Sequence, residues 1–294
     1  NISAVFAGCA RDCSDFLPQT LSNIKYYSSL FKESYTIIVE NGSKDKSKEI
    51  LKKSQCQKDF FLFQDELNIL KYRGQRLESA RNLIIETIKN NTNLSNCDLF
   101  IMLDLDDMGT YRINDNDILN SVKFLFSNNE IGAVFANQIG TYYDMWTLRD
   151  QKYCKNDFWV EVLKFLIKNK NSNENFSNEN FNKVKKELID KKTYSFKRNQ
   201  SPILVDSAFG GFGIYKMKYV LKNNRKYEGT QTIDLISKDQ KKFRIRYQKC
   251  EHVNFNLGLV DQNLKLYILP YLINRDFVKN IFPPTASINL IIRN

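Results

Sequence analysis

Apolar residues in this chain fall into short continuous runs, and between the runs they recur at helical spacing. Ile2 to Ala7 (I-S-A-V-F-A), Tyr35 to Val39 (Y-T-I-I-V) and Phe60 to Phe63 read as short strands, the first of them buried. Between the first two, Phe16, Leu17, Leu21, Ile24, Tyr27 and Leu30 predict an amphipathic helix over Asp15 to Phe31. A second helix is expected over Lys46 to Ser54, with Ser43 or Asp45 as its N-cap. Gln75 to Lys89 gives the clearest helical stripe, from Leu77, Ala80, Leu83, Ile84 and Ile88. Further on, Asp117 to Phe126 and Phe158 to Ile167 read as helices, and Ala133 to Ala136 and Arg244 to Tyr247 as strands.

Strand and helix alternate through the first half, which argues for a mostly parallel α/β sheet flanked by helices. In such a sheet the loops after the strands share one rim, so Arg11, Glu40, Asn41 and Asp45 are expected near one another. The stretch Asp98 to Gly109 (D-L-F-I-M-L-D-L-D-D-M-G) begins as an apolar strand and ends in Asp104, Asp106 and Asp107. A buried strand that stops at clustered acids suits a hard divalent cation, because the strand fixes the backbone and oxygen ligands emerge at its end.

The second half is less regular. Tyr142 to Asp150 (Y-Y-D-M-W-T-L-R-D) is aromatic and charged. Lys168 to Gln200 shifts to Asn, Lys, Glu and Ser and reads as a polar insertion, with a helix over Asn182 to Asp190. Gly210, Gly211 and Gly213 lie between aromatics, where backbone can approach a ligand or turn tightly between strands. The only histidine, His252, follows Glu251, and the remainder to Asn294 reads as a strand-and-loop tail.

Composition narrows the picture. The chain has 294 residues, enough for one large α/β domain, and a formal net charge of +11. That excess points to an anionic partner, either nucleic acid, a membrane surface or a phosphorylated small molecule. However, the lysines are dispersed and no nucleic-acid-binding motif is present, so nucleic acid is not expected as a partner. The six cysteines form no C-x-x-C pair, which excludes the commonest zinc sites and favours a reducing, cytoplasmic setting. No run is long and apolar enough for a membrane span. The first residue is not Met, so a longer parent protein or a removed targeting segment is consistent with the sequence.

Several segments together resemble glycosyltransferases of the GT-A fold, the nucleotide-sugar-dependent type with a D-x-D motif. They are Val39 to Ser47 (V-E-N-G-S-K-D-K-S), Ser79-Ala80-Arg81-Asn82, Leu103 to Asp107 (L-D-L-D-D) and Cys250-Glu251-His252-Val253. Tyr143 to Asp150 is also similar to a segment of the fungal capsule-associated α-1,3-mannosyltransferases. The resemblance implies a single Rossmann-like domain, with a nucleotide-binding half over 1–110. An acceptor and donor-sugar half would cover 111–260, with the insertion at 168–200 and a tail at 261–294. It implies that Glu40, Asn41 and Asp45 hold the nucleoside and that Arg11 and Arg81 sit near the diphosphate. Asp104 would lie nearer the ribose or sugar, and Mn²⁺ or Mg²⁺ would be held by Asp104, Asp106 and His252. Gly210 to Gly213 would face the acceptor or donor sugar, and Arg76 is a further candidate for phosphate charge. An inverting enzyme would need a carboxylate base, for which Asp144, Asp206 and Glu251 are candidates.

The function expected is transfer of a sugar from a UDP- or GDP-sugar to a glycan or other hydroxyl acceptor. Three rivals remain. A sugar nucleotidylyltransferase would carry a Gly-rich loop after the first strand, whereas Ala7 to Arg11 holds one glycine. A noncatalytic carbohydrate- or nucleotide-binding domain would have no need of the acids and His252. A basic nucleic-acid-binding protein would show strongly salt-dependent affinity for DNA.

Overall fold

The computed structural model describes residues 2–152, 154–168 and 194–275, with short pieces at 183–184, 186–187 and 289–291. The first half alternates β1 (Ser3–Ala10), α1 (Leu17–Ser28), β2 (Glu33–Glu40), α2 (Ser47–Ser54), β3 (Asp59–Phe63) and α3 (Arg73–Asn90). The one-turn α4 (Thr92–Ser95) then leads to β4 (Leu99–Leu103), α5 (Asp115–Phe126) and β5 (Ile131–Asn137). Next come α6 (Phe158–Lys168), β6 (Ile203–Val205), β7 (Phe212–Lys216), α7 (Met217–Leu221) and β8 (Thr230–Ile236). The chain continues through β9 (Lys242–Gln248), α8 (Glu251–Val260), β10 (Lys265–Ile273) and β11 (Asn289–Ile291).

Eight strands form the main sheet in the order β3-β2-β1-β4-β7-β5-β10-β6. β1 to β4 pair in parallel, and β10 is parallel to β5. Against them run β7, wedged between β4 and β5, and β6 at the edge. The sheet is thus mostly parallel and flanked by helices, as the alternation of elements leads one to expect. Its faces pack separately. Phe6, Ile38, Ile101 and Val134 meet α1, α2 and α5, whereas Val5, Ile37, Phe100 and Phe135 belong with α3, α6 and α8. Burial on both faces is why β4 and β5 are unbroken apolar runs. A second sheet of β11, β9 and β8 is antiparallel throughout.

Several elements differ from the sequence expectation. β1 runs on to Ala10, because the small residues read as a loop continue the ladder, with Gly8 opposite Ile38 and Ala10 opposite Glu40. No side chain caps α2 at Lys46; Asp45 instead accepts the Ser47 N–H at 2.9 Å. The Gly-rich segment is only partly a turn, since Phe212 onward is the fully buried β7. Cys250 to Asn256, given no element from the sequence, lies mostly in α8, where Phe255 and Leu259, four apart, face the core. Within the expected tail, Lys265–Ile273 is an interior strand of the main sheet. Of the helix expected over Asn182 to Asp190, all but 183–184 and 186–187 lies outside the described residues. All six cysteines are free thiols.

Candidate functional site

Two cavities open where β1, β2 and β4 end, and they share Arg73, Leu77, Arg81, Asp104 and Asp106. One, of about 280 Å³, extends towards Arg11, Asn41 and Arg76. The other, of about 230 Å³, extends towards Tyr143, Trp146, Phe209, Glu251 and His252. Together they form a groove with arginines at one end, carboxylates in the middle and aromatic groups at the other.

The acid tip of β4 is set by alternation. Leu105 is buried, and only a glycine at position 8 leaves room for it, since a Cβ there would lie 2.7 Å from Leu105 Cγ. With Leu105 anchored, Asp104 and Asp106 both line the groove. Asp106 Oδ1 accepts the Met108 N–H at 3.1 Å, capping the short turn Asp107–Thr110. Asp107 is drawn off by Arg275, whose Nη1 donates to Asp107 Oδ2 at 2.7 Å. Burial pushes Asp104 up to about 7, the Asp106 charge adds to this, and Arg81 opposes it. Burial likewise raises Asp106 against the pull of the Met108 N–H, with Asp107 adding to the rise. A cation between these carboxylates would relieve both penalties.

Arg81, on the third turn of α3, is the cluster's hub. It is buried, its Nη1 meets both Glu251 and His252, and its Nη2 lies 3.5 Å from Asp104 Oδ1. The guanidinium also lies 5.4 Å from the Phe209 ring centroid and 6.0 Å from that of Tyr227. Burial opposes its charge, but Glu251, Cys9 and Asp104 more than restore it. Neighbouring Asn82 fixes the helix by exchanging hydrogen bonds with the Tyr227 backbone at 2.9 and 3.0 Å. His252 stacks on Phe209 at 4.0 Å, and its Nδ1 has no hydrogen-bond partner among the described residues. Burial, then Arg81 and Arg73, hold His252 well below its ordinary pKa, so the ring is neutral. Glu251 gives one oxygen to Arg81, while Oε2 has no hydrogen-bond partner among the described residues.

The candidate residues therefore separate. Asp104, Asp106, Arg81, Glu251 and His252 come together, with Arg11 and Asn41 at the other end of the groove. Asp104, Asp106 and His252 line one cavity, but as placed, among the described residues, no three of His, Cys, Asp and Glu form a metal-holding group. His252 meets Arg81 instead. Arg11 Nη1 donates to the Asn41 carbonyl at 2.6 Å, and Asn41 Oδ1 has no hydrogen-bond partner among the described residues. Glu40 is buried, with Oε1 accepting the Ser43 N–H at 2.5 Å. Asp45 lines neither cavity, because its carboxylate ties the first two rim loops together through the N–H groups of Ser14 and Ser47. Partial burial opposes the Asp45 charge, but hydrogen bonds from Ser47 and Ser14 outweigh it and hold the pKa at about 2.

Of the three candidate bases, only Glu251 has a carboxylate oxygen to spare in the groove. Asp144 lines the groove, but Oδ1 accepts from Thr147 Oγ1 at 2.8 Å and Oδ2 from the Gly210 N–H at 3.0 Å. Asp206 lines neither cavity, and its backbone N–H donates to the Arg149 carbonyl at 2.7 Å. Arg76 is occupied by the Leu70 carbonyl at 2.6 Å.

Gly210 and Gly211 have φ of +65° and +80°, in the region that favours glycine. The Gly211 carbonyl accepts the Asp104 N–H at 3.0 Å, so the turn buttresses the acid tip. A Cβ at Gly211 would lie 3.0 Å from Asn274 Nδ2 and 3.2 Å from the Tyr143 hydroxyl. Gly211→Ala is therefore expected to cost about 1–2 kcal/mol in urea unfolding and to weaken nucleoside diphosphate binding in isothermal titration.

Sequence reasoning did not single out Arg73, which lies at the start of α3, lines both cavities and makes no ion pair or hydrogen bond among the described residues. Gly74 beside it serves close approach: the Gly74 and Gly229 backbones cross so tightly that a Cβ on either would strike the other's carbonyl. Trp146 and Tyr143 belonged to the aromatic segment, but nothing in the sequence placed that segment beside Glu251.

A largely parallel sheet in this order, with an acid pair at the tip of β4 and an antiparallel β7 beside it, is the GT-A fold of glycosyltransferases. A mannosyltransferase from Pyrobaculum calidifontis, solved with GDP-Man and Mn²⁺, superposes with a TM-score of 0.50 at 11% identity. The match covers 95% of this chain and 57% of that one. S. aureus TarS gives 0.48 at 10% identity, over 92% of this chain and 58% of its own. Glucosyl-3-phosphoglycerate synthase from Mycobacterium tuberculosis, with UDP, gives 0.45 at 10% over 97% and 74%. The chain thus spans less than three fifths of the first two structures. No family model and no curated protein matches its sequence.

Proposed function

We propose that this protein transfers a sugar from a nucleoside-diphosphate sugar to a hydroxyl acceptor, with Asp106 and Asp104 holding Mn²⁺ or Mg²⁺. The observation that carries the reading is the shared groove, in which two buried-strand carboxylates separate an arginine-lined end from an end with Glu251 and Trp146. Two carboxylates fit such a cation, which commonly completes its shell with water and substrate phosphate oxygens. His252 Nε2 is available to the ion only when Arg81 moves off it. When bound, the cation supplies Lewis-acid stabilisation of the charge that grows on the leaving diphosphate.

The chain's own residues do the rest. Asn41 offers an unpartnered Oδ1 to the nucleoside end. Arg73 and Arg11 carry positive charge beside the carboxylates, suited to diphosphate oxygens. Glu251 Oε2 is the candidate to take the acceptor's proton in an inverting transfer. Trp146 and Phe209 give the acceptor end apolar faces that exclude water.

The test is a panel of UDP- and GDP-sugars with Mn²⁺, including GDP-mannose, read by thermal shift and by slow donor hydrolysis. A stabilising donor that is also hydrolysed supports the reading. Binding without turnover, or no response to any donor, would favour a noncatalytic nucleotide- or carbohydrate-binding domain instead. Arg73→Ala should weaken the donor about 10- to 100-fold, the worth of one charged hydrogen bond, with melting temperature little changed because Arg73 holds nothing else.

A further inference from the structure

The β8–β9 hairpin has one face in the core and one in solvent. Phe243, Ile245 and Tyr247 are buried, while the alternate residues Lys242, Arg244 and Arg246 are exposed. Opposite them on β8 stand Ile236, Asp234 and Thr232, all exposed. Lys238 and Lys241 add exposed charge at the turn. Among the described residues of the hairpin, five exposed cations stand with two acids, Asp234 and Asp239. The two ion pairs are loose, Asp234 to Arg244 at 3.8 Å and Asp239 to Lys241 at 3.5 Å, so they leave most of the field unspent. Ile236 is 57% exposed beside this charge, directly across from Lys242.

We propose that this face docks the protein on an anionic membrane surface. Clustered Lys and Arg are drawn to acidic headgroups, and an exposed aliphatic beside them gains by entering the headgroup boundary. A single-stranded nucleic acid would instead use aromatic platforms on the basic face. Here the hairpin's aromatics, Phe243 and Tyr247, are turned into the core. β9 runs through Cys250 directly into α8, whose first residues Glu251 and His252 line the groove. The hairpin that would bind the surface is therefore joined through two residues to the element that carries the acceptor end.

The experiment is flotation of the 294-residue chain with vesicles of phosphatidylcholine alone or with one quarter phosphatidylserine. Binding is expected only to the anionic vesicles and should fall as salt rises from 50 to about 300 mM. Lys242→Ser/Arg244→Ser/Arg246→Ser should weaken it at least about tenfold, the loss of three surface cations. Arg244→Lys/Arg246→Lys should bind like the unaltered chain. Melting temperature verifies folding of each variant, and none of these positions lines the groove. Equal binding to both vesicle types, or an unaffected triple variant, would overturn the proposal. So would preference for single-stranded DNA over the anionic vesicles at equal salt. None of these outcomes depends on sugar transfer.

Discussion

Asp106→Ala is expected to abolish Mn²⁺-dependent binding of nucleoside diphosphate and to lower sugar transfer by a factor on the order of 10³ or more, the several kcal/mol that a Lewis-acid cation supplies. Asp106 lines both cavities, and the only hydrogen bond to its carboxylate among the described residues comes from the Met108 N–H. Its removal should barely change folding stability. The lost cap costs about 1 kcal/mol, and burial already disfavours the charge. Asp107→Ala is the contrasting variant. It frees Arg275 and should leave Mn²⁺ dependence in place. Titration of UDP and GDP with Mn²⁺ and with EDTA separates the two. Unchanged Mn²⁺ dependence in Asp106→Ala would remove that residue from the metal site.

The second large effect is on stability. Arg81→Ala would leave Glu251 buried and without its cation, and would open space between Phe209 and Tyr227. Breaking one side of a buried pair costs about 3–5 kcal/mol, which in a chain of this size lowers the melting temperature by on the order of 10 °C. Arg81→Lys should recover little, because one ammonium cannot reach Glu251, His252 and Asp104 as the guanidinium fork does. The double variant Arg81→Met/Glu251→Gln should regain much of the stability without regaining donor binding. Differential scanning calorimetry gives the first quantity and nucleotide titration the second. If the double variant melts no higher than Arg81→Ala, the unpaired charge is not what destabilises the single one.

Much of this architecture is legible in the sequence because the first half obeys simple periodicity. Buried strands appear as apolar runs, helices as stripes, and the acids at the end of β4 as a break in hydrophobicity. The parts that escaped are those where glycine has a local purpose. Gly8 makes room for Leu105, so β1 continues where the residue types suggest a loop. Gly213 sits in β7 with Phe135 and Tyr215 packed close to its α-carbon. Gly258 lies in α8 where the Asn223 side chain presses in. In each case the glycine answers a neighbour distant in sequence, which propensity cannot see. At the site, residue types named the carboxylates, Arg81 and the Glu251–His252 pair. They could not show that Arg81 stands between His252 and the acids, that Asp107 belongs to Arg275, or that Asp144 is spent on Gly210. Those are facts of tertiary contact.

The position of β7 also constrains how the chain can be assembled. β4 and β5 are not neighbours: β5 pairs only with β7 and β10, both of which come later in the chain. A ribosome releasing this protein therefore delivers β1 to β4 as a sheet that can pair at once. β5 follows as an apolar strand with no partner until Phe212 has emerged. Over that interval the edges of β4 and β5 are both open to other chains. Synthesis slowed beyond β5 should consequently favour aggregation, whereas slowing within β1 to β4 should not.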